Sequence, residues 1–224
     1  LAERGRQEAI KIAAERQQAA QTALERAVGR AGVPGRFRGR AFDAYHALLS
    51  EQKVALAVCR GYADRFDESL AEGRCLILVG GPGTGKTHLA CAILETVIRR
   101  GNTGLFVTVS EALRAIRDAY SPRAMRSELE AFALLTEPDL LVLDEAGVAV
   151  GDAEKRRALL FDVLNRRYAD QRPTILIGNL TAGELEEYLG ERIMDRLLES
   201  GSAVVPFTWE SYRRQPPARL NDTA

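Results

Sequence analysis

Gly80-Gly81-Pro82-Gly83-Thr84-Gly85-Lys86-Thr87 constrains this chain more than any other stretch, because of what stands on either side of it. It fits the spacing G-x-x-x-x-G-K-[ST] of a phosphate-binding loop. Before it, Cys75-Leu76-Ile77-Leu78-Val79 is short, continuous and apolar, as a buried parallel strand should be. After it, residues His88 to Ile98 space their apolar side chains for a helix. The glycines let the backbone turn tightly, so that its N–H groups point inward at phosphate oxygens. The helix start adds its positive dipole end to the same place. Lys86 is expected to reach the β- and γ-phosphates, and the Thr87 hydroxyl to hold Mg²⁺. An accidental glycine-rich turn would not bring both flanks with it. The stretch predicts a nucleoside triphosphate site.

The rest of the chain fits around such a site. Residues 1–30 read as one helix rich in Ala, Gln, Glu and Arg, with a thin apolar stripe through Ile10, Gln17, Leu24 and Val28. Such a helix buries too little to stand alone, and it fits either a partner-docking segment or a solvated leader. Residues 31–40 interleave glycines and Pro34 with Arg36, Arg38 and Arg40, and are expected to form a flexible basic linker and a domain boundary. From residue 41 to 224 the pattern alternates. Helices are expected at about 50–70, from Ser110 to before Ser121, at about 126–135, and at 154–170, 182–189 and 191–199. Strands are expected at Gly104–Val109, Asp139–Glu145, Thr174–Asn179 and Ala203–Phe207. Strands alternating with helices predict an α/β domain, a five-stranded parallel sheet between helices.

Composition excludes several classes. The formal net charge is zero, so no overall field advertises a nucleic-acid partner, although residues 1–40 carry net +5 and the remainder net −5. Cys59, Cys75 and Cys91 lack metal-site spacing and read as reduced core thiols of a cytosolic, cytoplasmic protein. No apolar run approaches membrane-spanning length, and no signal peptide opens the chain, which begins at Leu1.

Ligands of open parallel sheets sit beyond the carboxyl ends of the strands, where the loop, Asp144-Glu145 and Asn179 all fall. An apolar run ending in Asp-Glu is the Walker B pattern: Asp144 is expected to order Mg²⁺ and Glu145 to activate water. Asn179 could orient that water, contact the γ-phosphate, or merely cap a loop. Arg192 and Arg196 share one helix face, which suits either a transition-state cation or an ordinary ion-pair lattice.

These pieces, with Gly190-Glu191-Arg192-Ile193-Met194-Asp195-Arg196 and Trp209-Glu210-Ser211-Tyr212-Arg213, resemble the DnaC-type bacterial replicative helicase loaders. Those are AAA+ ATPases related to DnaI and to the IstB transposition helpers, and the resemblance runs from Phe42 to Arg213. It implies an ATPase using ATP and Mg²⁺ on residues Gly80 to His88, with Lys86 and Thr87 as Walker A, Asp144 and Glu145 as Walker B, and Asn179 as sensor 1. Arg196 matches the arginine finger that reaches a neighbouring subunit's ATP, Arg213 the sensor 2 arginine, and Phe42 and Tyr45 residues bordering the adenine. Tyr120 falls where the family carries an aromatic that touches single-stranded DNA, although a tyrosine packed on the core fits there equally well. The implied partners are a DnaB-type replicative helicase, single-stranded DNA and further copies in a ring or spiral. Ala23-Leu24-Glu25-Arg26 resembles the end of the helicase-binding region, of which residues 1–30 are expected to keep only a part. An IstB-like helper that binds duplex DNA and a transposase is the alternative within the same chemistry. A small-molecule kinase and a nonhydrolysing scaffold fit the Asp-Glu pair less well.

Overall fold

Side chains alternate along the strands of a five-stranded parallel sheet, and the two sets enter separate cores. The computed structural model describes residues 27, 29–121, 124–148 and 152–214, so nearly all of the helix expected over residues 1–30 lies outside the described residues. The strands are β1 (Leu76–Gly80), β2 (Gly104–Thr108), β3 (Leu140–Ala146), β4 (Thr174–Gly178) and β5 (Ala203–Phe207). Their spatial order is β2-β3-β4-β1-β5, with every pair parallel. Leu76, Leu78, Val142 and Ile175 enter one core, whereas Ile77, Leu141, Leu143 and Leu176 enter the other. Continuous apolar strands demand such cover on both faces. Pro206, which cannot donate to a ladder, sits in the edge strand β5.

One layer of helices contains α1 (Ser50–Asp64), α2 (Phe66–Glu72) and α3 (Lys86–Arg99). The other contains α4 (Val109–Ala119), α5 (Glu128–Thr136), α6 (Ala153–Ala169), α7 (Ala182–Leu189) and α8 (Glu191–Leu198). Thr108, Ser127 and Thr181 start α4, α5 and α7 with full capping boxes closed by Glu111, Glu130 and Glu184. Each of these three carboxylates titrates below its ordinary value, chiefly because it accepts the backbone N–H of the capping residue.

Two expectations need correcting. The single helix expected over 50–70 is broken at Arg65, whose N–H closes α1 on the Gly61 carbonyl while its ψ of 34° ends the helical path. The chain then turns so that Phe66 is fully buried, and α2 ends on Gly73 in the left-handed region. Residues 31–40 are also no flexible linker. Ala31 and Val33 are buried, the Phe106 N–H donates to the Ala31 carbonyl at 2.6 Å, and the Gly39 N–H donates to Glu95 Oε1 at 2.8 Å. Glycine and arginine content suggested a solvated tether, but apolar contact and backbone pairing with the edge strand β2 decide the outcome. The segment is a strap laid over the core.

Candidate nucleotide site

Because β3, β4 and β1 are consecutive neighbours, their carboxyl ends bring Asp144-Glu145, Asn179 and the glycine-rich loop to one place. A cavity of about 390 Å³ opens there. Pro82, Gly83, Gly85, Lys86, Thr87, His88, Asp144, Glu145, Asn179, Tyr45 and Arg213 line it, together with Arg36, Phe37, Arg40, His46 and Tyr212.

α3 begins at Gly85 with no side-chain cap, which leaves its first N–H groups free to meet an anion. Gly85 has φ 100°, and a Cβ there would approach Tyr45 Cε2 to 2.5 Å, so only glycine allows Tyr45 to close over the loop. Tyr45 is buried, its hydroxyl donates to the Thr84 carbonyl at 3.3 Å, and its ring stands edge-on to His88 and Tyr212. The segment Trp209 to Arg213 crosses the same loop. Trp209 Nε1 donates to the Thr84 carbonyl at 3.0 Å, and the Tyr212 N–H to the Gly83 carbonyl at 3.0 Å. A Cβ on Gly83 would run into Ser211 Oγ. This motif, far away in sequence, therefore shapes the loop and delivers Arg213 to the cavity.

Lys86 is buried and its ammonium donates to the Gly80 and Gly81 carbonyls at 2.7 Å each. Burial pushes its pKa down to about 8, against the pull of the Asp144 charge, which raises it. Such an ammonium is poorly solvated, and phosphate oxygens would satisfy it better than carbonyl dipoles. Asp144 Oδ2 accepts the Thr87 hydroxyl at 2.9 Å, and Oδ1 accepts the Glu145 N–H at 2.7 Å. Burial raises the Asp144 pKa, opposed by those two bonds and by Lys86. A hydroxyl and one carboxylate side by side suit Mg²⁺, which takes few protein oxygens and completes its shell with phosphate oxygens and water.

Glu145 is the next residue, and its φ of 61° is rare for a side chain of its size. The pairing of β3 with β4 shifts register between Leu143 and Ala146, so a bulge turns Glu145 outward to the cavity rather than into a core. Burial lowers the His88 pKa, so its imidazole is held neutral, with Nε2 3.3 Å from the Ala41 carbonyl.

Three expected site residues stand elsewhere. Phe42 is buried in the core under the Arg60 guanidinium and does not line the cavity. Arg196 lies against α6, its guanidinium 5.1 Å from the Phe161 ring centre, 5.5 Å from that of Tyr168, and hydrogen-bonded to Asn165 Oδ1. Tyr120 ends α4 half exposed, its hydroxyl 3.1 Å from Glu128 Oε1. Arg36, Phe37, Arg40, His46 and Tyr212 were missed as cavity residues. Only the Arg36-Phe37-Arg38 interleaving hinted at the strap, and it reads equally well as a linker. Cys59, Cys75 and Cys91 are buried and unpaired, and no helix among the described residues is long and apolar enough to cross a membrane.

Comparison with known proteins agrees with this geometry. The sequence profile of the family described as IstB-like ATP binding protein matches residues 68–219. The replicative helicase loader DnaC of Escherichia coli K12 is 33% identical over 213 residues, 95% of this chain and 85% of that protein. DnaC of Buchnera aphidicola from Acyrthosiphon pisum is 31% identical over 191 residues, 85% of this chain and 76% of that protein. A crystal structure of the DnaC helicase loader superposes with a TM-score of 0.66 at 25% identity, covering 77% of this chain and 99% of that one. The structure of DnaI, at 20% identity and a TM-score of 0.65 over 77% of this chain and 93% of that one, shares the AAA+ fold. The chain belongs to the IstB-like ATP-binding proteins of the AAA+ class, and among them to the family of DnaC-type replicative helicase loaders.

Proposed function

We propose that this chain is an ATP-dependent loader of a replicative DnaB-type helicase onto single-stranded DNA, and that it hydrolyses ATP, with Mg²⁺, at junctions between its own copies. One observation carries the reading: three adjacent strand ends set Lys86, Thr87, Asp144, Glu145 and Asn179 on one cavity while Arg196 rests outside it. Lys86 and the uncapped start of α3 bind the phosphates, and Thr87 and Asp144 would hold Mg²⁺, which would supply charge neutralisation for phosphoryl transfer. Glu145 takes the proton of the attacking water, Asn179 orients that water, and Arg213 neutralises phosphate charge from within the subunit. Tyr45 and His88 close the loop side, and Arg196 completes a neighbour's site. In this reading residues 1–30 are the end of a helicase-binding region and residues 41–224 the ATPase domain.

Supporting the loader reading is the likeness to the DnaC helicase loader of Escherichia coli K12, which spans 95% of the chain. The test is DNA preference. With no net charge, attraction to the dense charge of a duplex is weak, whereas Tyr120, half exposed, offers a ring for an unpaired base. We expect ATP-dependent binding that prefers single strands, with a shallow salt slope and a loss of roughly fivefold or more in Tyr120→Ala. A preference for duplex DNA, untouched by Tyr120→Ala, would replace this reading with the transposition-helper one.

A further inference from the structure

Glu95 is a carboxylate on α3 with 5% of its surface exposed, and the hydrolytic chemistry above makes no use of it. Burying a carboxylate is costly unless hydrogen bonds compensate, so an apolar residue would be the cheaper choice on this helix face. Its Oε1 accepts the N–H of Gly39 at 2.8 Å. Gly39 sits in the strap between Arg36 and Arg40, and both arginines line the nucleotide cavity. Within the strap, Arg40 Nε donates to the Arg36 carbonyl at 2.9 Å, which couples the two. At the next residue, His88 Nε2 lies 3.3 Å from the Ala41 carbonyl. One buried carboxylate thus secures the stretch of chain that brings two exposed guanidinium groups to a cavity whose other lysine and arginine side chains, among the described residues, are Lys86 and Arg213.

We propose that Glu95 is a positioning residue: it latches the strap to the phosphate-loop helix so that Arg36 and Arg40 bind the charge of the bound nucleoside triphosphate. The proposal rests on the reading that this cavity takes ATP. By linkage, a nucleotide that gains affinity from the latched strap also stabilises the latch. Nucleotide occupancy is then written into the order of residues 36–40.

The test uses the full chain, a fluorescent ATP analogue, and trypsin, which cuts after Arg36, Arg38 and Arg40. Arg36→Gln and Arg40→Gln, both on exposed side chains, should each weaken binding about three- to fivefold at low salt and little at high salt. Glu95→Leu should weaken it about as much as the arginine pair, and should add nothing to that pair when combined with it. Glu95→Gln, whose amide oxygen can still accept from Gly39, should bind as the parent does. ATP should slow tryptic cutting in the strap of the parent and of Glu95→Gln, but not of Glu95→Leu. Parent-like affinity in the double arginine variant overturns the proposal whether or not Glu95→Leu folds. So do additive effects, or a Glu95→Gln variant as weak as Glu95→Leu. Lys86→Ala separates the two levels. If the parent binds ATP and Lys86→Ala does not, the nucleotide reading stands and a failed latch falls alone. If Lys86→Ala binds as the parent does, the nucleotide reading falls and the latch with it.

Discussion

Glu145 pays for its position with backbone strain. A non-glycine residue held in the left-handed region costs on the order of 1 kcal/mol or more, and the strain here is imposed by the bulge that turns the side chain toward the cavity. Two outcomes follow for this residue. Glu145→Gln should bind ATP as the parent does while phosphate release falls about a hundredfold or more, because the amide cannot take a proton. Glu145→Gly should lose hydrolysis equally yet melt at a higher temperature than Glu145→Ala, because glycine relieves the strain. Undiminished turnover in Glu145→Gln would remove Glu145 from the chemistry, and equal melting of the Gly and Ala variants would remove the strain. That Lys86, Thr87, Asp144 and Glu145 meet at one cavity was legible in the sequence, because the glycine-rich loop and the Asp-Glu pair each close an apolar strand run at a recognisable spacing. Nothing comparable marks Arg36 or Arg40. Which side of a strap faces a cavity is set by Ala31, Val33 and Glu95 in contact with distant elements, and those contacts leave no periodic trace.

At the scale of elements, helix and strand bounds within the described residues were legible to within a residue or two apart from the break at Arg65, because apolar periodicity and capping residues act locally. The anchoring of those elements was not. Arg167 follows Arg166 near the end of α6, where nothing in the sequence sets the two apart, yet it is 1% exposed. Its guanidinium donates to the carbonyls of Leu135, Thr136 and Pro138 at the end of α5, to that of Pro173, and through Nε to Thr174 Oγ1. One planar fork thus ties α5, α6 and the start of β4, and its positive charge lies at the negative end of the α5 dipole. Burial pushes its pKa down to about 10, which leaves it charged at neutral pH. Lysine offers fewer donors and no fork, so several buried carbonyls would go unpaired. Arg167→Lys should lower unfolding free energy by about 3 kcal/mol in urea titrations, with more lost in Arg167→Ala. A loss well under 1 kcal/mol in Arg167→Lys would mean that water or neighbouring groups replace the fork.

At the scale of the whole molecule, the arginine proposed above to complete a neighbour's site, Arg196, stands far from the nucleotide cavity. Arg196 shares a small crevice with Cys75 and Thr174, which mark the amino ends of β1 and β4, whereas the nucleotide cavity lies beyond their carboxyl ends. A strand of five residues spans roughly 16 Å, which no side-chain rotation covers. Stacked on Phe161 and Tyr168, Arg196 can serve a triphosphate only when a second copy presents this face to the cavity of the first. Subunits carrying Arg196→Ala should therefore bind ATP normally and hydrolyse it poorly when assembled only with themselves. Glu145→Gln subunits should fail alone for the opposite reason. Mixed, the two kinds form one class of junction in which an intact Arg196 faces an intact Glu145, and phosphate release should rise to a maximum near equal proportions. If the mixture stays inactive at every ratio although light scattering shows co-assembly, Arg196 acts within its own subunit or only as packing. Packing α8 against α6 would then be its entire role.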